Sequence, residues 1–423
     1  MGTKANEIGA KVQYLYDEGP AENLMRFVNA EALLAEHQRQ ERRKATGIDG
    51  INKDRYNAEL DRNIQSLVER MKGFRYRPQP VRRTYIPKAN GKMRPLGIPA
   101  YEDRLVQGVM SKLLDEVYEV RFLDCSYGFR KGRSCHDVVR YLNDTIMGKK
   151  VNFVLEADIK GFFDNVDHGW LMKFLEYDIH DKNFRRYIGR FLKAGIMEGT
   201  AIRDSDKGTP QGGLISPVLA NVYLHYVLDL WVERVIKPKA RGEVYYVRYA
   251  DDFVLLFQYK NEAEAAMAAI RQRLKKFSLE VAEDKTRILP FGRFAKERES
   301  FDFLGFTFFN TTTRTNKYRV GIRTSKKKLV AKKQAAKAWL RERRNKLVPE
   351  TMKLINAILR GHCNYYGVSG NYVQLSKFHE FMRIATWKML CSRSQKGHIP
   401  IAKFQRTWKY FITPPRIVVN IWK

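Results

Sequence analysis

The sequence is poor in cysteine, and its four cysteines form no C-x-x-C pair and have no histidine at zinc-finger spacing. Neither a disulfide framework nor a structural zinc site is therefore indicated. The chain also lacks an apolar run near the roughly 18 residues of a membrane span, and its N-terminus lacks the apolar region of a signal peptide. We therefore expect a cytoplasmic protein with reduced thiols and no membrane partner.

Acidic residues are scarce in the C-terminal part of the chain. From Arg314 onward, 26 lysines and arginines face three acids, whereas the preceding residues hold 52 basic and 43 acidic side chains. Most of the net charge of +32 therefore lies in this segment, and such a charge attracts a polyanion, with nucleic acid as the first candidate. A ribosomal protein or a basic membrane-surface protein is the alternative. The 24 Phe, 22 Tyr and 6 Trp, however, also indicate large cores and stacking surfaces.

The N-terminal part of the sequence predicts helices followed by a hairpin. Apolar residues recur at helical spacing in residues 20–43 and 61–71. Two strand-like runs then meet at Asn90-Gly91, a pair that accepts the positive φ angles of a type I′ turn. The cations of the hairpin include Arg83, Lys88, Lys92 and Arg94. They indicate either a charged edge strand or a binding surface.

Three aspartates lie where apolar strand-like segments end. Asp158 follows the run at residues 151–157, and a polar turn and a helical pattern come next. Asp251 and Asp252 lie at the predicted turn of an apolar hairpin within residues 247–257. Turns favour aspartate, so this pair alone is weak evidence for a site. Together, the three carboxylates supply the hard oxygen ligands that two Mg²⁺ ions about 4 Å apart need for phosphoryl transfer.

A series of short motifs follows in order along residues 45–310 and continues at residues 360–366. They are Thr46-Gly47-Ile48-Asp49-Gly50, the hairpin from Ile86 to Pro99, Cys125-Ser126-Tyr127-Gly128-Phe129-Arg130, the Asp158 strand, Gly208-Thr209-Pro210-Gln211-Gly212-Gly213 with Ser216-Pro217, Tyr249-Ala250-Asp251-Asp252, Asp284-Lys285-Thr286, Phe303-Leu304-Gly305-Phe306 and Arg360-Gly361-His362-Cys363-Asn364-Tyr365-Tyr366. With these motifs the chain resembles the reverse transcriptases encoded by bacterial group II introns.

The resemblance implies an α+β right-hand polymerase. Residues 1–100 would form an N-terminal extension and fingers, residues 101–310 a core of fingers and palm with an antiparallel palm sheet, and residues 311–423 a basic α-helical thumb that doubles as the maturase domain. Such a protein is an RNA-directed DNA polymerase that extends a DNA primer on an RNA template with deoxynucleoside triphosphates. It would also bind intron RNA as a splicing maturase.

The resemblance also implies a catalytic set. Asp158 and Asp251 would hold both Mg²⁺ ions, with Asp252 beside them and the Ile159 carbonyl as an additional ligand. The residues themselves agree with this reading, because a metal pair stabilises charge on both the attacking and the leaving oxygen.

A nucleotide-binding set follows from the same resemblance. Lys88 and Arg94 match positions that neutralise the incoming triphosphate, Gln211 flanks the nucleotide pocket, and Lys285 lies near the catalytic hairpin with a less defined role. Phe163 occupies the position of a bulky ring under the sugar, where it would exclude a ribose 2′-hydroxyl. The alternative for Phe163 is a core aromatic next to Phe162.

The basic segment predicts a three-helix bundle. Residues 325–347, 352–359 and 375–391 carry apolar residues at helical spacing. Eight cations on the first helix are candidate RNA contacts: Lys326, Lys327, Lys328, Lys332, Lys333, Arg341, Arg343 and Arg344. A helix face exposed to water is the alternative for this charge run.

The sequence ends at Lys423 without the paired cysteines and histidines of a C-terminal nuclease. We therefore expect a short form that does not cut a DNA target strand. Three function classes remain: an intron-encoded reverse transcriptase and maturase, a free-standing relative recruited to host defence or DNA repair, and a splicing cofactor with an inactive polymerase site. The intact aspartate set argues against the third.

Overall fold

The computed structural model describes residues 19–87, 93–198, 201–203, 207–208, 212–295, 297, 299–394 and 398–422. Its first elements are helices α1 (Ala30–Arg39), α2 (Lys53–Asn57) and α3 (Leu60–Lys72), strands β1 (Val81–Pro87) and β2 (Met93–Ile98), and helices α4 (Tyr101–Glu119) and α5 (Cys135–Gly148). The predicted helix at 61–71 is confirmed. The predicted helix at 20–43 is shorter, because a 3₁₀ turn at Leu24–Phe27 precedes α1.

The predicted hairpin is confirmed in its strands. β1 and β2 pair antiparallel from Arg82 opposite Ile98 to Pro87 opposite Met93, and the Asn90-Gly91 turn lies outside the described residues. β1 also pairs in parallel with a short strand, β4 (Ile196–Glu198), which pairs with β5 (Ala201–Arg203) and extends this sheet to the order β2-β1-β4-β5.

The middle of the chain builds a second sheet and the helices that cover it. Its elements are β3 (Phe153–Asp158), α6 (Phe162–Asn165), α7 (His168–Asp178), α8 (Lys182–Leu192), β4 (Ile196–Glu198), β5 (Ala201–Arg203), α9 (Ser216–Leu224), two π-helical segments (His225–Asp229 and Val232–Ile236), α10 (Lys237–Lys239), β6 (Val244–Tyr249), β7 (Asp252–Phe257), α11 (Lys260–Lys276) and β8 (Arg287–Pro290). This sheet is antiparallel with the order β6-β7-β3-β8. The strand at Asp158 and the hairpin around Asp251 are both confirmed.

Both faces of this central sheet are buried. Leu155 and Leu255 belong to the core formed with α4, α7, α8 and α9. Val154 and Leu256 point into a second core, shared with α5 and with three further strands. Because successive side chains of a strand alternate between faces, the continuous apolar runs of β3 and β7 are what a sheet covered on both sides requires.

Three more strands and a helical region complete the chain. They are β9 (Ser300–Phe303), β10 (Phe306–Thr312), β11 (Tyr318–Thr324), α12 (Lys326–Glu342), α13 (Val348–Tyr366), α14 (Tyr372–Cys391) and α15 (Ile401–Phe411). Strands β9 to β11 form an antiparallel sheet, so residues 306–324 are largely extended and the helices begin at Lys326. Asn371, fully buried, joins sheet to helices, because its side chain accepts from the Thr324 amide and donates to the Thr324 hydroxyl and the Tyr366 carbonyl.

The predicted three-helix bundle is wrong in its number of helices. The described residues form four, because α15 buries Phe404 and Trp408 against the apolar faces of α12, α13 and α14. The apolar residues of this short helix alternate with lysines and arginines, so its helical spacing of apolar residues was not recognised in the sequence. Across the described ranges, no helix is both long and apolar enough to span a membrane.

Candidate active site

The pairing of β3 with β7 brings the predicted aspartates together. Asp158, the last residue of β3, lies opposite Asp252, the first residue of β7. Asp251 precedes Asp252 in the turn that joins β6 to β7. The Asp158 residue is 8% exposed and the other two are half-buried, so three acids meet at one end of an apolar sheet.

The turn that carries Asp251 is tight and strained. Ala250 has a φ of 56°, in the left-handed region that a residue with a Cβ rarely adopts. Gly128 lies against this turn, and a Cβ added there would approach the Ala250 nitrogen to 2.4 Å. Glycine at position 128 therefore lets the loop after α4 pack directly on the turn.

Burial and the neighbouring carboxylates raise the pKa of two of the acids, Asp251 and Asp252. Burial, and then the adjacent Asp158, raises the pKa of Asp251. Burial, the two neighbouring carboxylates and a hydrogen bond that Asp252 donates to Asp158 raise the pKa of Asp252 to about 7. The cluster therefore holds more negative charge than its burial favours, and cations stabilise it.

Lys285 supplies one such cation. Its ammonium donates a hydrogen bond to Asp158 Oδ2, and this bond raises the pKa of Lys285. Lys285 ends a 3₁₀ turn at Glu283–Lys285, which the Ala282 amide ties to the Asp158 carbonyl over 2.7 Å. The sequence predicted Lys285 near the hairpin around Asp251. In the structure Lys285 contacts Asp158 of β3, the strand that pairs with β7 of this hairpin.

The donor chemistry at this end of the sheet fits a hard divalent cation. Asp158, Asp251 and Asp252 offer carboxylate oxygens, which Mg²⁺ prefers. The raised pKa values of Asp251 and Asp252 reflect burial and repulsion between the carboxylates, both of which a bound cation would relieve. The side chain of Ile159 is a buried hydrocarbon without a ligand atom, so this residue could bind a cation only through its backbone carbonyl. In the described parts of the chain, no three acidic, histidine or cysteine side chains already surround a common point, and Lys285 donates to one carboxylate oxygen of Asp158.

A cleft of about 850 Å³ is lined by Lys285, the residue that contacts Asp158. Ile86, Pro87 and Arg94 of the β1–β2 hairpin line one side, and the first three turns of α12 line the other. Arg94 is close enough to Asp251 to lower the pKa of that carboxyl against the larger effect of burial. The cleft is therefore lined by cations, two of which, Lys285 and Arg94, lie close to Asp158 and Asp251.

The remaining predicted nucleotide contacts are placed in part. The Phe163 ring is half-buried, lies edge-on to Phe162 with 5.5 Å between centroids, and packs on the rim of the core. Lys88 and Gln211 lie outside the described residues. Near Gln211, a Cβ added to Gly212 would approach the Gly97 carbonyl to 2.4 Å, so this segment contacts β2 through its backbone.

The eight predicted RNA contacts of α12 separate into three sets. Lys326, Lys327 and Lys328 line the cleft. Three others cover aromatic rings, with cation-to-centroid distances of 4.5 to 5.9 Å: Lys332 on Tyr366 and Phe378, Lys333 on Phe381, and Arg343 on Trp339. Burial lowers the pKa of Lys332.

Arg341 and Arg344 line a different feature, a groove of about 730 Å³ between α12 and α14. Lys337 and Lys388 complete its basic rim, and its floor is apolar, with Phe381, Ile384 and Met389 among the lining residues. Neither Lys337 nor Lys388 was among the RNA contacts predicted from the sequence. Helical spacing would have found Lys337, which is four residues before Arg341, but Lys388 belongs to another helix.

A buried ion pair next to the turn that carries Asp251 was also not predicted. Arg248 and Asp229 are both 0% exposed, with 2.5 Å between Nη2 and Oδ2. The position of Arg248 directly before Tyr249-Ala250-Asp251-Asp252 was a usable signal, but its partner 19 residues away could not be read from the sequence.

Comparisons with known proteins agree with this geometry. Residues 86–308 match the family model described as reverse transcriptase (RNA-dependent DNA polymerase). The chain is 30% identical to the group II intron-encoded protein LtrA of Lactococcus lactis subsp. cremoris, over 83% of this chain and 71% of that protein. It is 34% identical to protein YkfC of Escherichia coli strain K12, over 71% of this chain and 86% of YkfC. A shorter match, 32% identical over 32% of this chain, is to nuclear intron maturase 2, mitochondrial, of Arabidopsis thaliana, of which it covers 24%.

We expect the purified protein to bind Mn²⁺, a paramagnetic substitute for Mg²⁺, at the aspartate cluster. Asp158→Asn and Asp251→Asn should each weaken this binding by at least about tenfold, because each removes a charged ligand. Titration of free Mn²⁺ by electron paramagnetic resonance measures the affinity. Asp61→Asn, in the first turn of α3, is the control and should leave it unchanged. Full affinity in both cluster variants would place the cation elsewhere.

Proposed function

The chain belongs to the reverse transcriptase family, of the type encoded by group II introns, and we propose how its residues perform that activity. It is an RNA-directed DNA polymerase with the maturase function of that group. The observation that carries the assignment of the site is the meeting of Asp158, Asp251 and Asp252 at the end of the central sheet, where Lys285 links Asp158 to a cleft lined by cations.

We assign the parts of a right-hand polymerase to the sheets and helices. The central sheet would be the palm, the β1–β2 hairpin and its sheet would belong to the fingers, and the helices from α12 onward would be the thumb. The cleft supports this assignment, because it lies between the hairpin and α12 and has Lys285 at its base. A primer-template duplex placed there would present its end to the aspartates.

The described residues divide the work of nucleotide addition. Two Mg²⁺ ions held by Asp158 and Asp251 would stabilise the charge on the attacking primer oxygen and on the departing pyrophosphate. Arg94, from the hairpin, would bind the triphosphate and align it, with Lys88 and Gln211 assigned beside it. Lys285 would neutralise Asp158 while the cleft is open.

Sugar selection is assigned to Phe163. The ring lies five residues after Asp158 and is half-buried, so part of it packs on the core and part remains accessible to a ligand. A rigid ring in that position would leave no space for a 2′-hydroxyl. Phe162, 2% exposed, is the core residue of the pair.

Binding of RNA is assigned to two basic surfaces. Lys326, Lys327 and Lys328 line the cleft and would contact the duplex being copied. The groove between α12 and α14 would bind a single-stranded segment of intron RNA, with phosphates on Arg341, Arg344 and Lys388 and a base on the apolar floor. Lys332, Lys333 and Arg343 would not contact RNA directly. They would hold the aromatic rings that they cover in place beside these surfaces.

Replacing Asp251 or Asp158 by Ala should abolish DNA synthesis on a primed RNA template. Loss of the metal ligands should raise the barrier by several kcal/mol, and each 1.36 kcal/mol is a factor of about ten in rate. Primer extension measures the activity, which should fall below about 1% of the unaltered protein, and anisotropy titration should give an unchanged RNA affinity. Extension by Asp251→Ala above that level would contradict the assignment of the site.

Replacing Phe163 by Val should increase incorporation of ribonucleotides relative to deoxynucleotides, because it removes the wall but not the catalytic groups. Single-nucleotide extension with each nucleotide type measures the ratio of kcat/KM values. Phe162→Leu is the matched control, which should lower stability without changing that ratio. Equal discrimination by Phe163→Val and the unaltered protein would make Phe163 a core residue.

Replacing Arg341, Arg344 and Lys388 together by Gln should weaken binding of single-stranded intron RNA and reduce its salt dependence. Three lost phosphate contacts should lower the slope of log K against log salt by at most about two. Anisotropy titrations at several KCl concentrations measure it. Lys239→Gln, Lys275→Gln and Lys276→Gln together, in α10 and in the last turn of α11, remove the same number of charges and are the control for net charge. If both sets change the slope equally, the groove has no specific role.

A further inference from the structure

Arg248 uses all five of its N–H groups inside the protein. Nε and Nη2 donate to the two oxygens of Asp229 at 2.7 and 2.5 Å, and Nη2 also donates to Ser126 Oγ at 2.7 Å. Nη1 donates to Asn221 Oδ1 and to the Ala250 carbonyl, both at 3.0 Å. The guanidinium therefore connects β6, the helix ahead of Asp229 and the turn that carries Asp251.

The backbone of Arg248 is held as firmly as its side chain. Its amide donates to the Cys125 carbonyl at 2.8 Å, and its carbonyl accepts from the Tyr127 amide at 2.9 Å. Asn221, which binds the guanidinium, also donates to the Gly128 carbonyl at 2.7 Å. The same network thus fixes both the catalytic turn and the loop that packs on it.

Stability alone does not account for a buried pair of this kind. Removing two charges from water costs several kcal/mol for each ion, and an apolar pair of similar volume is often as stable or more stable. What an apolar pair could not provide is the hydrogen bond to the Ala250 carbonyl. That carbonyl belongs to Ala250, whose left-handed conformation is strained and persists only where its surroundings hold it.

Asp229 lies in a π-helical segment, His225–Asp229, that continues from α9. Such segments are rare and often occur at functional sites. The Tyr246 hydroxyl donates to Asp229 Oδ1 at 2.9 Å, so the carboxylate is held on the side facing β6 as well. The Asp229 carboxylate is therefore held by the Tyr246 hydroxyl as well as by the Arg248 guanidinium.

We propose that Arg248, held by Asp229, is a positioning residue that fixes the Ala250 peptide and thereby aims the Asp251 carboxylate into the cleft. The proposal rests on the catalytic role proposed for Asp251. Lysine could not replace Arg248, because an ammonium cannot reach Asp229, Asn221 and the Ala250 carbonyl with the fixed fork geometry of a guanidinium. The network acts on chemistry and not on binding of RNA or nucleotide.

The test compares stability with catalysis in a series of variants. Arg248→Lys keeps a charge near Asp229, Arg248→Met leaves Asp229 unpaired, and Arg248→Met with Asp229→Leu replaces the pair by apolar groups. Each is assayed for Tm, for kcat and KM of primer extension, and for Kd of a primed RNA. The control is Arg121→Lys, which alters a partly buried arginine that binds Asp178 and backbone carbonyls away from the turn.

Arg248→Lys should lower kcat at least tenfold and leave KM and Kd within about threefold. The double variant should recover the Tm lost in Arg248→Met but not its kcat, whereas Arg121→Lys should lower Tm with kcat nearly unchanged. Recovery of both Tm and kcat in the double variant would overturn the proposal, because the pair would then be only structural. A loss carried by KM or Kd would overturn it as well.

If the double variant does not fold, Arg248→Lys and Arg121→Lys decide the matter at a temperature where circular dichroism shows both folded. Should Arg248→Lys also fail, Asp229→Asn, which keeps the shape of the side chain but places an amide N–H group against the guanidinium and so releases its hold on Arg248, takes its place with the same expectations. An equal kcat loss in the test and control variants overturns the proposal. Normal activity of Asp251→Ala would instead refute the proposed function, so the two failures are distinguishable.

Discussion

The antiparallel register between β3 and β7 is the constraint on which the site depends. A slip of one residue would turn every side chain of the strand to the opposite face and separate Asp158 from Asp252. Apolar packing on both faces prevents this, since Leu155 lies opposite Leu255 and Val154 opposite Leu256, each pair in its own core. The same packing desolvates the carboxylates, so the apolar residues that fix the geometry also create the demand for positive charge.

Positive charge is distributed around the aspartates at increasing distance. Lys285 touches Asp158 directly, Arg94 lies across the cleft, and the first turn of α12 adds three lysines. Farther along α12 the basic residues turn away to rings or to the groove against α14. The large net charge of the C-terminal segment therefore serves at least two separate surfaces, one at the cleft and one on the helical region.

The sequence predicted the features that depend on neighbouring residues. The apolar strand before Asp158, the hairpin around Asp251 and the strands on either side of Asn90-Gly91 follow local patterns, and all three are confirmed. Contacts between distant residues were out of reach. Ser126 is 122 residues from Arg248 and Asp229 is 19 residues from it, so neither pairing leaves a periodic signal. A run of charge likewise does not reveal which cations, such as Lys332, turn inward to aromatic rings.

The basic helices of the C-terminal region have a thermodynamic consequence for the protein without nucleic acid. No acidic residue lies in the first turn of α12, where three lysines face the positive end of the helix dipole, an unfavourable arrangement. Mutual repulsion among like charges further opposes the compact state. A bound polyanion removes both penalties and adds the linkage free energy RT ln(1 + [L]/Kd) to folding. A polyanion bound to these helices would therefore contribute to their folding free energy as well as occupy a binding surface.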